Sequence, residues 1–179
     1  MTTAILKSMT QDGTHAVGSI NVIKVKTLAN GARITDAPVD NWTLVELAGF
    51  NEDAERLCKA VTAKDKKAYL VASVEQRFLG EDIAHFYNDV DEFARLIVMD
   101  ADYTRFEASN FTLEGVSDVE VGQVAHFDVA TKKFLISALE SPHADFADSA
   151  YQFEVVADLS DTAGNFLQPT VRFMVTKVA

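Results

Sequence analysis

The chain has 179 residues, of which 48% are hydrophobic and 24% charged, and its formal net charge is −11. Its 12 Phe and 4 Tyr add to many aliphatic residues, so a packed core is expected and a disordered chain is disfavoured. The length suits one compact domain, or one domain with an extended arm. The acidic balance disfavours DNA, RNA and anionic membranes as partners, since binding to all three depends on Lys and Arg.

Cysteine usage and the N-terminus restrict the class of protein further. Cys58 is the only cysteine, which excludes an intramolecular disulfide and a zinc site built from several cysteines. Residues 1–7 lack the basic, apolar and small-residue parts of a signal peptide, and no apolar run is long enough for a membrane span. These features predict a protein made and kept in a cytoplasm.

The negative charge is concentrated in the second half of the chain. Residues 1–89 carry a net charge of −2, and residues 90–179 carry −9. Such asymmetry is typical either of a face turned towards a basic partner or, more commonly, of a solvated surface that keeps the protein in solution.

The N-terminal region is predicted to contain a tail and a β-hairpin. Residues 1–14 show no periodicity and are predicted to be flexible or ordered by a partner. An alternating run follows, and Asn30-Gly31 after it is a strong signal for a type I′ turn. We therefore predict a hairpin between Ile20–Leu28 and Ala32–Thr35.

A polar, proline-containing stretch at residues 36–41 is the best candidate for a boundary. We predict an N-terminal arm and β-hairpin over residues 1–40 and a compact β-rich domain over residues 41–179. Apolar runs in that domain predict further strands at Trp42–Leu47, Leu57–Val61, Lys67–Ser73, Leu96–Met99, Tyr103–Glu107 and Phe111–Leu113.

One segment has helical spacing. Apolar residues recur at three- and four-residue intervals between Gly80 and Arg95, and Glu81 and Asp82 suit the N-terminal end of a helix dipole. We predict one short-to-medium helix here, with Asn88-Asp89 as an alternative end.

The last third of the chain is predicted to be antiparallel β structure. Val124–Val129 and Lys133–Ser137 flank a connection of hairpin length, and Tyr151–Val156 and Thr170–Val178 form a second pair joined by a turn at Asp161–Asn165. With many short strands, one helix and no βαβ alternation, the fold is predicted to be mainly β or α+β. It would be an antiparallel β sandwich or a barrel-like domain.

Motifs of the common enzyme classes are missing from the sequence. It holds no nucleophile elbow, Walker loop, dinucleotide-binding glycine motif or His-Glu-x-x-His. Cys58 lies in an apolar run, where a lone cysteine is usually a small core residue, although Lys59 beside it could lower its pKa. We therefore expect no enzyme, with no catalytic, cofactor-binding or metal-binding residues and no cofactor.

Residues able to ligate a metal are scattered along the chain. His143 with Asp145 and Asp148 is the nearest approach to a loop metal site, but one imidazole and two carboxylates are more typical of a solvated loop. His126 and Asp128 share a strand face and could simply pair. The remaining histidines and weaker acidic candidates are His15, His85, Asp100 with Asp102, Asp158 with Asp161 and Asn165, Glu81 with Asp82, and Asp91 with Glu92.

Two clusters of residues could contact other molecules. Phe86, Tyr87 and Phe93 could form an aromatic ligand patch, but at helical spacing such residues more often belong to a core. The lysines between residues 64 and 67 are predicted to form a solvated turn, or to meet an acidic partner. A strand-rich acidic module without catalytic motifs suits surface contact through exposed strand edges.

Several segments resemble small structural proteins of tailed bacteriophages, which commonly associate with the capsid as decoration, or cement, proteins. The segments are Asn41–Leu47, Lys67–Ser73, Arg77–Glu81, Phe86–Asn88 and Gly122–Phe134. The resemblance covers roughly residues 41–178 and consists of packing and turn patterns. It contributes no catalytic residues.

The resemblance implies a virion structural protein of the capsid decoration type. Such a protein binds the outer surface of the major capsid lattice and stabilises the assembled state by mass action. The implied partner is the major capsid protein, with self-association into a homo-oligomer as a further expectation, and the implied location is the virion. Residues 1–40 would then add to a capsid strand edge, and the helix would brace the β core.

Two alternatives stay open at this point. A tail, head-completion or head-fibre protein of the virion would combine the same elements. From a different class, a small-ligand or carbohydrate-binding β domain would show a concave pocket lined by aromatics and by carboxylates with shifted pKa values. Acids dispersed over a convex surface would exclude that second alternative.

Overall fold

The computed structural model describes residues 15–75, 86–160 and 168–179. These residues form thirteen β-strands and no helix, so the fold is all-β and the mainly β prediction is confirmed. In chain order the strands are β1 Gly18–Ile20, β2 Ala32–Ile34, β3 Leu44–Phe50, β4 Arg56–Ala60, β5 Tyr69–Val71, β6 Phe93–Ala94, β7 Leu96–Ile97, β8 Arg105–Ala108, β9 Phe111–Leu113, β10 Val124–Asp128, β11 Lys133–Ser137, β12 Gln152–Asp158 and β13 Val171–Lys177.

The strands form two mixed sheets. One contains seven strands in the order β1-β8-β13-β12-β10-β11-β9, and the other contains six in the order β6-β2-β4-β3-β5-β7. The predicted antiparallel pairs β10 with β11 and β12 with β13 are confirmed, with Phe127 opposite Phe134 and Val155 opposite Phe173. Two pairs are parallel, β9 with β11 and β2 with β4, so neither sheet is purely antiparallel.

The six-stranded sheet closes on itself. Its end strands, β6 and β7, are separated in the chain by Arg95 alone. One continuous segment therefore pairs with β2 on one side, through Ala94 opposite Ala32, and with β5 on the other, through Leu96 opposite Val71. The result is a small barrel whose interior is filled by apolar side chains. That core contains Ala32, Ile34, Val39, Val45, Cys58, Tyr69, Val71, Ala94 and Leu96.

The seven-stranded sheet is strongly curled. Strands β8 and β11 are second and sixth in its order, which would separate them by about 19 Å in a flat sheet. The ring centroids of Phe106 and Phe134, one from each strand, are nevertheless only 5.3 Å apart. Phe153 and Phe173 contact both rings, with centroid separations of 5.1 to 6.3 Å within this group. The curl therefore encloses a phenylalanine core.

Strand alternation divides the apolar residues of the barrel between its interior and a second core shared with the seven-stranded sheet. Successive side chains of a strand point to opposite faces, so adjacent residues can serve different cores. Leu44, Leu70 and Ile97 belong to the shared core, and their neighbours Val45, Val71 and Leu96 to the barrel interior. This arrangement explains why β5 is buried at all three of its positions.

The predicted helix over Gly80–Arg95 is wrong for residues 86–95. Asn88 forms an isolated bridge with Val39, and Asp91 has a φ of 68°, outside the helical region. Asn88 is buried and its Nδ2 donates to Val39 O and Asn41 Oδ1, bonds that compete with helix formation. Residues 80–85 lie outside the described residues.

The predicted hairpin between Ile20–Leu28 and Ala32–Thr35 does not form. Strand β1 pairs with β8 in the seven-stranded sheet, whereas β2 belongs to the barrel. Asn30 and Gly31 do have positive φ values, 61° and 60°, as the turn signal predicted. The backbone on both sides of this turn pairs with one neighbouring segment, β6 and β7, because the Leu28 amide donates to Leu96 O and Ala32 faces Ala94. The turn is therefore a short insertion within one strand-like segment, and it does not join two strands that pair with each other.

The division of the chain at residue 40 stays a prediction. In its described part, the N-terminal region supplies β1 to one sheet and β2 to the other, and His15 and Ala16 are buried. Residues 1–14 and the predicted turn at Asp161–Asn165 lie outside the described residues. No helix within the described ranges is long and apolar enough to span a membrane.

Candidate functional site

The β3–β4 hairpin extends beyond its neighbours in the barrel. Strand β5 pairs only with Leu44 and Val45 of β3, and no strand among the described residues pairs with the same edge of residues 46–50. Leu47 and Phe50, in this unpaired part, are 36% and 67% exposed. A free strand edge that carries exposed apolar side chains is a template for strand addition by another chain.

Side-chain hydrogen bonds hold the tip of this hairpin in one conformation. Asn51 Oδ1 accepts from the amides of Asp53 and Glu55 at 3.1 and 2.8 Å, and its Nδ2 donates to Glu55 Oε2 at 2.7 Å. Arg33 Nη2 lies 2.7 Å from the same carboxylate oxygen. The hydrogen bond from Asn51, with help from Arg33, lowers the pKa of Glu55. The tip is thus preorganised, which reduces the ordering cost of binding.

Two arginines lie over two exposed aromatic rings beside this tip. Arg33 is 4.9 Å from the ring centroid of Phe93, and Arg56 is 5.7 Å from that of Phe50. Phe50, Arg56 and Phe93 border a cleft of about 470 Å³ that also includes Asp53 and Glu55 in its lining. We name Arg33, Leu47, Phe50, Arg56 and Phe93 the hairpin surface. Aromatic residues and arginine are the types enriched in the binding hot spots of protein interfaces.

Sequence patterns did not reveal the hairpin surface. The strand predicted from the sequence ends at Leu47, whereas Gly49 and Phe50 continue β3. Phe93 was assigned to a helix, but it lies in β6 opposite Arg33. Leu47, Ala48 and Phe50 are apolar, as strand residues often are. They do not follow the regular alternation of a strand, because β3 has a bulge between Leu47 and Gly49.

A second cluster joins β10 to the connection between β11 and β12. His126 of β10 is 2% exposed, and His143 of the connection stacks on it with ring centroids 5.0 Å apart and an interplanar angle of 17°. One ligand atom from each of His126, His143 and Asp145 lies within 4.8 Å of the other two. Burial, with His143 as a second cause, lowers the pKa of His126, so this imidazole is neutral at pH 7. Asp148, predicted with this group, instead lies 3.5 Å from Lys64.

Lys64 is one of the lysines between residues 64 and 67 that were predicted to form a solvated turn or to meet an acidic partner. Its Nζ donates to Asp145 Oδ1 at 2.6 Å, and this bond is the main cause of the lowered pKa of Asp145. Lys64 therefore contacts acids of its own chain. Lys66 and Lys67 are exposed, and Lys67 lies 6.0 Å from the ring centroid of Tyr69.

The remaining candidates from the sequence are dispersed. Cys58 is fully buried in the barrel and burial raises its pKa to about 11, which confirms its prediction as a core residue. Asp128 accepts from Ala130 and Thr131 in the β10–β11 turn, with no hydrogen bond to His126. The other acidic candidates lie apart from one another: Asp100 pairs with Lys26, Asp158 accepts from Ser160, Glu92 accepts from Asp89, and the main-chain oxygen of Asp91 accepts from Arg33. Of the aromatic candidates, Phe86 is buried against His15, and Tyr87 and Phe93 are exposed. His85, Glu81, Asp82, Asp161 and Asn165 lie outside the described residues.

Comparison with known proteins gives a prophage relationship. A family model described as YonC prophage protein matches residues 11–176. The SPbeta prophage-derived protein YonC of Bacillus subtilis (strain 168) is 45% identical over 176 residues, which cover 98% of each chain. No solved structure matches the chain significantly.

Proposed function

The chain belongs to the YonC family of prophage proteins, and we propose that it is a virion structural protein of the capsid decoration type. It binds the outer surface of the major capsid lattice and stabilises the shell. Its partner is the major capsid protein, with self-association as a second contact, and its location is the virion. The proposal includes no catalytic activity and no cofactor.

The hairpin surface is the observation that carries this proposal. A strand of the capsid protein laid against residues 46–50 would continue the barrel sheet through main-chain hydrogen bonds. Leu47 and Phe50, both exposed in the free chain, would become buried in that contact. An exposed phenylalanine on a tip held by Asn51 is difficult to explain by the stability of the isolated chain, because it leaves apolar surface in water.

Stabilisation of the shell follows from mass action. A protein that binds the assembled lattice, and not its free subunits, lowers the free energy of the assembled state. At a free concentration of 100 times the Kd, each occupied site contributes about 2.7 kcal/mol. Because a lattice repeats the same site many times, a weak individual contact is sufficient.

Binding to purified shells that lack this protein tests the proposal. Wild-type protein should co-sediment with such shells, and Phe50→Ser should bind at least about tenfold more weakly, since a buried aromatic anchor contributes about 2 kcal/mol or more. Val121→Ser is the matched control, because Val121 is 68% exposed and Phe50 is 67% exposed, and Val121 lies outside the hairpin surface. The control should bind like wild type. Equal binding by both variants would contradict the assignment of the contact to the hairpin.

The location of the protein in particles separates the capsid decoration role from other virion roles. Electron microscopy of labelled particles should show this chain on the outer surface of the head. Labelling at the tail or at the head vertex would replace the proposal with a tail or head-completion role. Absence of the chain from purified virions would contradict every structural role.

The alternative of a small-ligand or carbohydrate-binding domain would use the cleft beside the hairpin. That cleft does contain Phe50, Phe93 and Glu55, but Arg33 and Arg56 lie over the two rings. The Glu55 carboxylate already accepts from Asn51 and lies against Arg33, and these contacts lower its pKa. The cleft therefore suits a protein contact better than a sugar site.

A further inference from the structure

We propose that His126, His143 and Asp145 form a binding site for a divalent transition metal ion of the zinc type. Two imidazoles and a carboxylate are a ligand set that zinc accepts, with water at the remaining position. The three side chains come from β10 and from the β11–β12 connection, and their ligand atoms are already within 4.8 Å of one another. This site differs from the expectation drawn from the sequence, which gave no means of placing His126 beside the connection.

His126 is the fixed ligand of this site. It lies on β10 between β11 and β12, is 2% exposed, and its Nδ1 is buried without a hydrogen-bond partner among the described residues. A buried polar atom without a partner is a cost to the folded state that a ligand can remove. Since no hydrogen bond fixes its tautomer, either ring nitrogen can present a lone pair.

His143 and Asp145 are the ligands that adjust. Side-chain exposures of 26% and 50% leave them room to move. His143 Nδ1 lies 4.0 Å from Asp145 Oδ2, compared with about 3.3 Å between ligand atoms of a tetrahedral zinc site. The two imidazole rings are nearly parallel, so His143 must turn about its side-chain torsions to direct its lone pair at the ion.

Glu114 lies beside the other ring nitrogen of His143. Its Oε1 lies 3.7 Å from His143 Nε2. If His143 binds the ion through Nδ1, its Nε2–H faces this carboxylate, which is the usual carboxylate–histidine–metal arrangement. Nδ1 now accepts the Asp145 amide at 3.2 Å, and this hydrogen bond would be exchanged for the bond to the metal.

Lys64 is the competing cation. It occupies Asp145 Oδ1, but Oδ2 of the same carboxylate faces His143. The ammonium group repels a metal ion placed beside it, so Lys64 should weaken metal binding while it holds the connection to the β4–β5 loop. The two roles of Lys64 have opposite consequences for metal binding, and this difference gives a sharp test.

Zinc titration of untagged, chelator-treated protein tests the site, with calorimetry for affinity and thermal unfolding for stability. Wild-type protein should bind one zinc ion per chain and unfold at a higher temperature with zinc. His143→Ala should bind zinc at least about tenfold more weakly. Lys64→Met should bind zinc more tightly than wild type. Glu140→Gln, an exposed acid on the same connection, is the matched control and should bind like wild type.

Three results would overturn the proposal. The first is no zinc binding by wild-type protein at millimolar zinc. The second is equal affinity of wild type and His143→Ala, which would place the ion elsewhere. The third is a Lys64→Met variant that is less stable than wild type and is not stabilised by zinc. Asp145 would then act as the ion-pair partner of Lys64 and not as a metal ligand. Circular dichroism of each variant shows whether it is folded before titration.

Discussion

His15 Nδ1 lies 2.7 Å from Asp40 Oδ1, so a buried imidazole near the start of the described chain contacts a carboxylate 25 residues later. Its Nε2 lies 3.3 Å from Glu75 Oε1 on the other side. Burial lowers the pKa of His15, but the two carboxylates together outweigh it and raise the pKa to about 9. His15 is therefore charged at neutral pH and joins two segments that the chain separates.

The stability of the protein should fall as pH rises from about 6.5 to about 9. A raised pKa means that the folded state holds the proton more tightly than the unfolded chain, for which the value is 6.5. The contribution of His15 is therefore complete below pH 6.5 and is lost as pH rises through about 9. The full shift corresponds to at most about 3 kcal/mol. Urea unfolding across this pH range measures it.

His15→Gln provides the control for that pH dependence. This variant should be less stable than wild type at pH 6.5 and should show little slope between there and pH 9. A slope unchanged from wild type would assign the titration to another group.

Gly18 is predicted to be intolerant of any side chain. A Cβ atom at this position would lie 2.2 Å from Glu107 O and 2.6 Å from Trp42 Cε2. Because a backbone oxygen cannot yield easily, Gly18→Ala should cost about 3 kcal/mol or more and loosen the pairing of β1 with β8. Thermal unfolding measures the loss.

Gly115→Ala is a useful comparison for that substitution. A Cβ atom at Gly115 meets no atom within 4 Å, but φ is +71°, so only backbone strain of about 1 kcal/mol is expected. Equal losses at the two positions would mean that the close approach of β1 to β8 and Trp42 is not what limits position 18.

The sequence predicted the local strand pairs and missed the distant ones. The β10–β11 and β12–β13 pairs follow from alternation and nearby turns, and both are present. Closure of the barrel depends on one continuous segment, residues 93–97, which pairs with β2 and with β5, and no local pattern contains that information. Asn30-Gly31 shows the limit most clearly, since its backbone conformation was predicted correctly and its pairing partner was not.

The candidate sites were missed for the same reason. His126 and His143 stack although each was considered with its sequence neighbours, Asp128 and Asp145. Leu47 ends a predicted strand and Phe50 lies beyond it, and nothing in the sequence indicates that the short β5 leaves their edge unpaired. Edges and cavities are properties of tertiary structure, so composition and periodicity can predict the residue types that form them but not their positions.

Cys58 should be unreactive in the folded protein. It is fully buried, its Sγ lies 3.7 Å from Ala32 O, and burial raises the pKa of the thiol to about 11. Since the thiolate is the reactive form, a thiol reagent at neutral pH should modify Cys58 only after denaturant is added. Rapid modification of native protein would show that the barrel opens readily. Cys58→Ala should abolish the signal under both conditions.

Asn51→Ala should loosen the hairpin tip with little effect on global stability. The substitution removes the acceptor for the amides of Asp53 and Glu55 and a donor to the Glu55 carboxylate. Hydrogen exchange of those two amides should become at least about tenfold faster, which corresponds to about 1.4 kcal/mol of lost local protection. Amides of β10 and β12 should exchange as in wild type. If the hairpin surface binds a partner as proposed, the same variant should bind more weakly while keeping Phe50, because the tip must then be ordered on binding. Unchanged exchange would show that the β3–β4 pairing alone holds the tip.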